Sequence, residues 1–143
     1  MFYRSRKRRR RGAVILECAV VYPITFLLVF GLIIGGLGVF RYQEMASLAR
    51  EGSRYASLHG ATYQQNTGKT AATASDVYNN AILPKAVALD LKQLSYTVTW
   101  NPDNKPGNTP PSTVSVKVTY HWVPEAFLPS MNLSSTSTVV MIY

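Results

Sequence analysis

Near its start the chain reads Arg4-Ser5-Arg6-Lys7-Arg8-Arg9-Arg10-Arg11-Gly12-Ala13-Val14-Ile15-Leu16-Glu17-Cys18, and from Ala19 to Phe40 it continues for 22 residues without a charge. A helix rising about 1.5 Å per residue covers about 33 Å over that run, enough for a hydrocarbon core of about 30 Å. The spacing predicts a transmembrane helix. By the positive-inside rule the basic tail stays cytoplasmic and the C-terminal portion is exported.

Composition bounds the rest. A chain of 143 residues leaves room for one modest domain beyond the membrane segment. The net charge of +8 belongs to the tail, because seven of the fifteen basic residues lie between Arg4 and Arg11. From Ala13 onward basic and acidic residues nearly balance, and no basic module with stacking aromatics follows, so a nucleic-acid partner is excluded. A cleaved secretory signal has an apolar core of about 7 to 15 residues, and this run is longer. Cys18 is the single cysteine, so it forms no intrachain disulfide and no thiolate metal cluster, and it reads as a small buried hydrophobe.

Three features of the apolar run need a reason. A carboxylate such as Glu17 costs on the order of 2.5 to 3.5 kcal/mol at the centre of a membrane helix and less near an interface. It either snorkels to the headgroups or has a partner. Pro23 removes a backbone donor and predicts a kink, which membrane helices tolerate. Gly31 and Gly35 make a G-x-x-x-G pair with Gly38 one turn further, and small residues on one face let a second backbone approach; glycine is also simply frequent in such helices.

Beyond Phe40 the pattern becomes amphipathic. Tyr42, Met45, Leu48 or Ala49, Gly52 and Tyr55 follow the helical repeat, with Arg41, Glu44, Arg50, Glu51 and Arg54 on the polar side. One helix from about Ala13 to about Leu58 is expected, about 69 Å long. His59-Gly60 is expected to end it with a glycine C-cap, and residues 61 to 73 are expected to be a loop. Ser75-Asp76 reads as the N-cap of a second helix, with Pro84 ending it or opening a further piece to about Leu91.

Strands follow. Tyr96, Val98 and Trp100 alternate with threonines, and Val114, Val116, Val118, Tyr120 and Trp122 alternate with polar residues. Asn101 to Ser112 reads as a long hairpin loop, and Leu133 to Tyr143 as a third antiparallel strand. The helix after the membrane is the expected cover for the sheet. The strand aromatics read as core and cross-strand packing before they read as a glycan platform. His59 and His121 have no metal-ligand constellation, no catalytic arrangement of acids and nucleophiles is present, and no cofactor is expected. The fold class is therefore α+β, a long N-terminal transmembrane helix extending into a small exported domain with a short helix and a three-stranded antiparallel sheet.

The stretch Arg10-Arg11-Gly12-Ala13-Val14-Ile15-Leu16-Glu17-Cys18-Ala19-Val20-Val21-Tyr22-Pro23 resembles the opening of the TadE family, minor pilins or pseudopilins of the tight-adherence (Tad) secretion system. The likeness continues through Leu27-Leu28-Val29-Phe30-Gly31 and Ala49-Arg50-Glu51-Gly52-Ser53-Arg54-Tyr55-Ala56. It departs at Cys18, where the family often has an aromatic residue, and at Ile34, where it often has an acid. The resemblance implies a pilin-like fold and a leader of residues 1–12 removed by a prepilin peptidase between Gly12 and Ala13. It further implies an assembly helix over 13–40, its amphipathic continuation over 41–60 and an exported domain over 61–143. Glu17 would then pair with the terminal amine of a neighbouring subunit. The implied partners are the peptidase, other pilins and Tad assembly proteins, and the lipid bilayer. The implied location is the bacterial inner membrane, with the domain periplasmic or extracellular and a part in adhesion. A tethered, unprocessed binding domain that does not polymerise is the alternative.

Overall fold

The computed structural model describes residues 7–102, 104, 113–124 and 129–142. It divides into two units, residues 1–38 and 39–143. Helix α1, Lys7–Leu58, contributes to both and contains Pro23. It begins before the expected Ala13, because lysine and arginine are good helix formers and Gly12 alone is too small a penalty to stop the propagation.

In the first unit the side chains from Gly12 onward are exposed, with Cys18, Ile34 and Gly38 half-buried. Cys18 is a free thiol, less enclosed than the expected buried hydrophobe. Tyr22, Phe26 and Phe30 form a ladder along the helix with ring centroids 6.4 and 6.3 Å apart. The Thr25 hydroxyl donates to the Val21 carbonyl at 2.9 Å, close to the point where Pro23 interrupts the backbone ladder.

The second unit is an α+β domain. Strands β1 (Leu94–Asn101), β2 (Thr113–Trp122) and β3 (Met131–Val140) form an antiparallel sheet in the order β1-β2-β3. The alternating pattern places Val114, Val116, Val118, Tyr120 and Trp122 on one face of the central strand, all buried. Their partners across β1 are Trp100, Val98, Tyr96 and Leu94, and across β3 they are Val139, Ser137, Ser135, Leu133 and Met131. The sheet's other face is a polar field of threonine and serine with Lys117 and His121.

The latter part of α1 covers the apolar face, as expected of the helix after the membrane. Met45, Leu48, Ala49, Ser53, Ala56 and Ser57 are buried. At Gly52 an added Cβ would lie 3.1 Å from Val116 Cγ1 and 3.4 Å from Ile82 Cγ1, so the helix approaches the sheet closely at this glycine. Ser53 and Ser137 share a hydrogen bond of 2.8 Å, which satisfies two hydroxyls where β3 contributes serine instead of an aliphatic side chain. The Ile142 amide donates to the Ser57 carbonyl at 3.1 Å.

The connections differ from the sequence-based expectation. Gly60 has φ −84° and serves as the N-cap of a second helix, α2 (Ala61–Thr67), within the stretch expected to be loop. The left-handed glycine is Gly68, with φ 69°, which closes α2 by donating to the Gln64 carbonyl at 2.9 Å. The next helix, α3 (Ala74–Val77), is capped two residues earlier than expected. Thr73 accepts from the Asp76 amide, and the Asp76 carboxylate accepts from the Thr73 amide at 2.9 Å, a reciprocal capping box. It continues as a π-turn, Tyr78–Ile82, and a 3-10 turn, Leu83–Lys85, that contains Pro84. The piece expected to reach Leu91 stops at Lys85, and a separate 3-10 turn, Leu91–Gln93, leads into β1. The third strand starts two residues before Leu133 and ends at Val140. Of the expected loop from Asn101 to Ser112, residues 103 and 105–112 lie outside the described residues, as do Arg4 and Arg6 of the tail.

Candidate processing and assembly site

The residues singled out by sequence lie on one element, and the helix fixes their spacing. Gly12 and Ala13 sit six and seven residues into the assigned span of α1, both exposed. A glycine in a helix interior is less favourable than alanine by about 1 kcal/mol, so the helix is intrinsically weak at this peptide bond. Glu17 is exposed and stands four residues after Ala13, one turn along the same face. Hydrolysis after Gly12 would create an ammonium at Ala13 with the carboxylate of Glu17 one turn away.

Gly31 and Gly35 are exposed one turn apart, and Gly38 follows on a neighbouring part of the surface. A Cβ built at Gly12, Gly31, Gly35 or Gly36 meets nothing within 4 Å. Among the described residues, packing gives no reason for glycine at these four positions, in contrast to Gly52. With Leu27, Leu28, Leu32 and Ile33 all exposed, this stretch offers small and large apolar residues that the described residues leave uncovered. Its helix is long and apolar enough to cross a membrane, of the kind that anchors a single-pass protein.

Several of the charged residues after Phe40, which the helical repeat places on the polar side, make specific contacts. An Arg41 guanidinium N–H donates to the Ala88 carbonyl at 2.8 Å, and Glu44 Oε1 accepts from the Ala88 amide at 3.2 Å. One residue of the connection before β1 is thus held at both backbone groups. Arg41 also lies 5.8 Å from the Tyr120 ring centroid. Glu51 accepts from Lys85 Nζ at 2.9 Å, and that hydrogen bond and charge hold its carboxyl below the usual carboxylate range, with a smaller contribution from Arg54. Arg50 is exposed. The Arg41 and Glu44 contacts were not recognised in the sequence, where the signal is only their one-turn spacing and nothing marks Ala88.

The strand aromatics face inward, as the packing expectation had it. Tyr120 and Trp122 are buried, and Tyr96 is stacked on Tyr78 with centroids 4.5 Å apart and planes 10° apart. They offer no open platform. A second aromatic group was not expected: Tyr55 stacks on His59 at 4.2 Å, and His59 meets Tyr63 at 4.9 Å. These rings, with Lys69, Asp76 and Asn80, line an open cavity of about 370 Å³. His59 Nδ1 is 2.9 Å from the Tyr55 carbonyl, where a ring N–H donates, so its ring is held by its own helix. Among the described residues no group of three His, Cys, Asp or Glu side chains could hold a metal ion.

A single long apolar helix, short helices and a three-stranded antiparallel sheet give an α+β arrangement of the pilin-like kind. Residues 12–54 match the model of a family described as TadE-like protein, and the chain is similar to that family over this stretch. No curated protein and no solved structure matched the chain.

Proposed function

We propose that this chain is a minor pilin or pseudopilin of a Tad-type pilus assembly or secretion system. It is inserted with its basic tail inside, cut by a prepilin peptidase between Gly12 and Ala13, and assembled through α1 with other pilins and Tad assembly proteins. The observation that carries this reading is the start of the TadE-like match, which opens on Gly12, five residues before the one carboxylate of the apolar segment. A charge in an apolar medium is tolerable mainly when an opposite charge meets it, and an ammonium at Ala13 of a neighbouring copy supplies one. Gly31 and Gly35, which no contact among the described residues requires, then serve the approach of a second helix. The role is structural, with no catalytic group assigned. The domain would lie on the periplasmic or extracellular side.

Intact-mass measurement of the protein taken from a membrane that contains the peptidase tests the processing step. A mature chain beginning at Ala13 is expected, and a chain that retains residues 1–12 would overturn it. In the same membrane, Glu17→Ala is expected to leave cleavage in place and to abolish incorporation into the assembly. Normal incorporation of that variant would remove the pairing role from Glu17.

A further inference from the structure

Within residues 39–143, the direction of α1 along the sheet is fixed by four contacts. Arg41 meets Tyr120, Gly52 meets Val116, Ser53 bonds to Ser137 and Ser57 bonds to Ile142. Ser137 is paired with Val116, and Thr113 with Val140, so the helix runs antiparallel to β2. Going back along the helix toward Phe40 is therefore the same direction as going forward along β2 past Tyr120.

That end of the domain carries a cluster of exposed apolar side chains. Val87 is 87% exposed, Val123 58%, Leu91 44% and Met131 37%. Leu94 pairs with Tyr120 and Met131 with Trp122, so Leu91 just before β1, Val123 just after β2 and Met131 opening β3 share one end of the sheet. Val87 joins them because its neighbour Ala88 is gripped at both backbone groups by Arg41 and Glu44. Each strand residue advances about 3.3 Å, so Trp122, paired with Met131, lies about 20 Å beyond Val116, which Gly52 faces. A helix covers that distance in about 13 residues. Counted back from Gly52, the rim is level with Val39 and Phe40, the end of the uncharged run.

We propose that this rim, Val87, Leu91, Val123 and Met131, is a second membrane contact, seated in the headgroup and outer acyl layer of the bilayer that α1 crosses. The inference rests on α1 being the membrane anchor. Its occupant is specified by the chain itself: the uncharged run ends at Phe40, and the rim sits at the height where that run ends. Phe40 and Tyr42, both exposed, flank the same level as interfacial aromatics do. The exposed Lys92 adds a cation within two residues of Leu91, suited to a lipid phosphate. The clamp on Ala88 gives the contact its purpose, since it holds the most exposed valine at a fixed height on the helix.

The test uses the full chain in phospholipid vesicles, on a Cys18→Ala background, with single substitutions Val87→Cys, Val123→Cys, Thr99→Cys and Phe30→Cys carrying an environment-sensitive fluorophore. Nitroxides on shallow acyl carbons report contact of the rim labels, and nitroxides near the acyl ends report contact of the deep label at 30. Emission from the labels at 87, 123 and 30 is expected to shift to the blue and to fall on adding nitroxide lipid, whereas the label at 99, on the polar sheet face toward the other end, stays unchanged. If the label at 30 responds and either rim label behaves like the label at 99, the rim contact is overturned while the anchor stands. A response at 99 equal to that at 87 also overturns it, because the contact would then not be confined to the rim. If the label at 30 does not respond, the anchor fails and the rim contact fails with it.

Discussion

The two parts of α1 have the same backbone and opposite surroundings. From Gly12 to Gly38 nearly every side chain is exposed, apolar residues included; from Met45 to Ser57 one face is buried to the last few per cent under a sheet. Glycine shows the difference most plainly. Gly52 is required by Val116 and Ile82 of the same chain, whereas a Cβ at Gly31 or Gly35 meets none of the described residues within 4 Å. A helix can thus be specified by partners in its own domain or by partners outside it, and substitution should tell the two apart.

The largest contrast is expected between leucines. Leu48→Ala removes a fully buried side chain between helix and sheet and should destabilise the domain by about 2 to 5 kcal/mol in a denaturation experiment. Leu28→Ala, in the exposed part, should leave that unfolding transition in place; if it shifts the transition as far, the two parts are not independent in the way the contacts indicate. Next come the glycines. Gly52→Val should cost the domain about 1 to 3 kcal/mol by forcing Val116 aside, while Gly35→Val should leave domain unfolding unchanged and reduce assembly.

The smallest effect is on acid sensitivity, which only the domain should show. Hydrogen bonding and charge from Lys85 hold Glu51 low, and hydrogen bonds from Thr73 hold Asp76 low. A carboxyl depressed on folding contributes stability that is present above the ordinary carboxylate range and is lost as the pH falls through its folded value. Both groups are near the surface, so the loss is modest. Thermal unfolding followed from neutral to acidic pH should decline less for Asp76→Asn than for the parent chain, and an equal decline would remove Asp76 from the account.

Much of this fold is legible in the sequence because periodicity reports burial directly. Val114 to Trp122 alternates without a break, and the strand is central with one face buried. The connections were harder for a local reason. Residues 61 to 67 are polar and small, so helix α2 shows no apolar stripe, and none of its residues is buried. Gly60 and Gly68 both look like helix stops, and only the backbone shows that the left-handed one is Gly68. Ser75-Asp76 looked like a cap, yet Thr73 with Asp76 three residues on has the reciprocal geometry. In the candidate site, Gly12 and Glu17 stand out because each is anomalous in its surroundings. Arg41 and Glu44 do not, because charges on a polar helix face are ordinary and their common target is a backbone.

The polar links between α1 and the domain fall at Arg41 and Glu44, at Glu51, at Ser53 and at Ser57, spread over about 24 Å of helix. Their spacing has a mechanical meaning. Tension applied along the helix axis loads these links together, in shear, with the apolar seam between them. A domain attached only at one end of the helix would instead peel, one contact at a time, under a far smaller force.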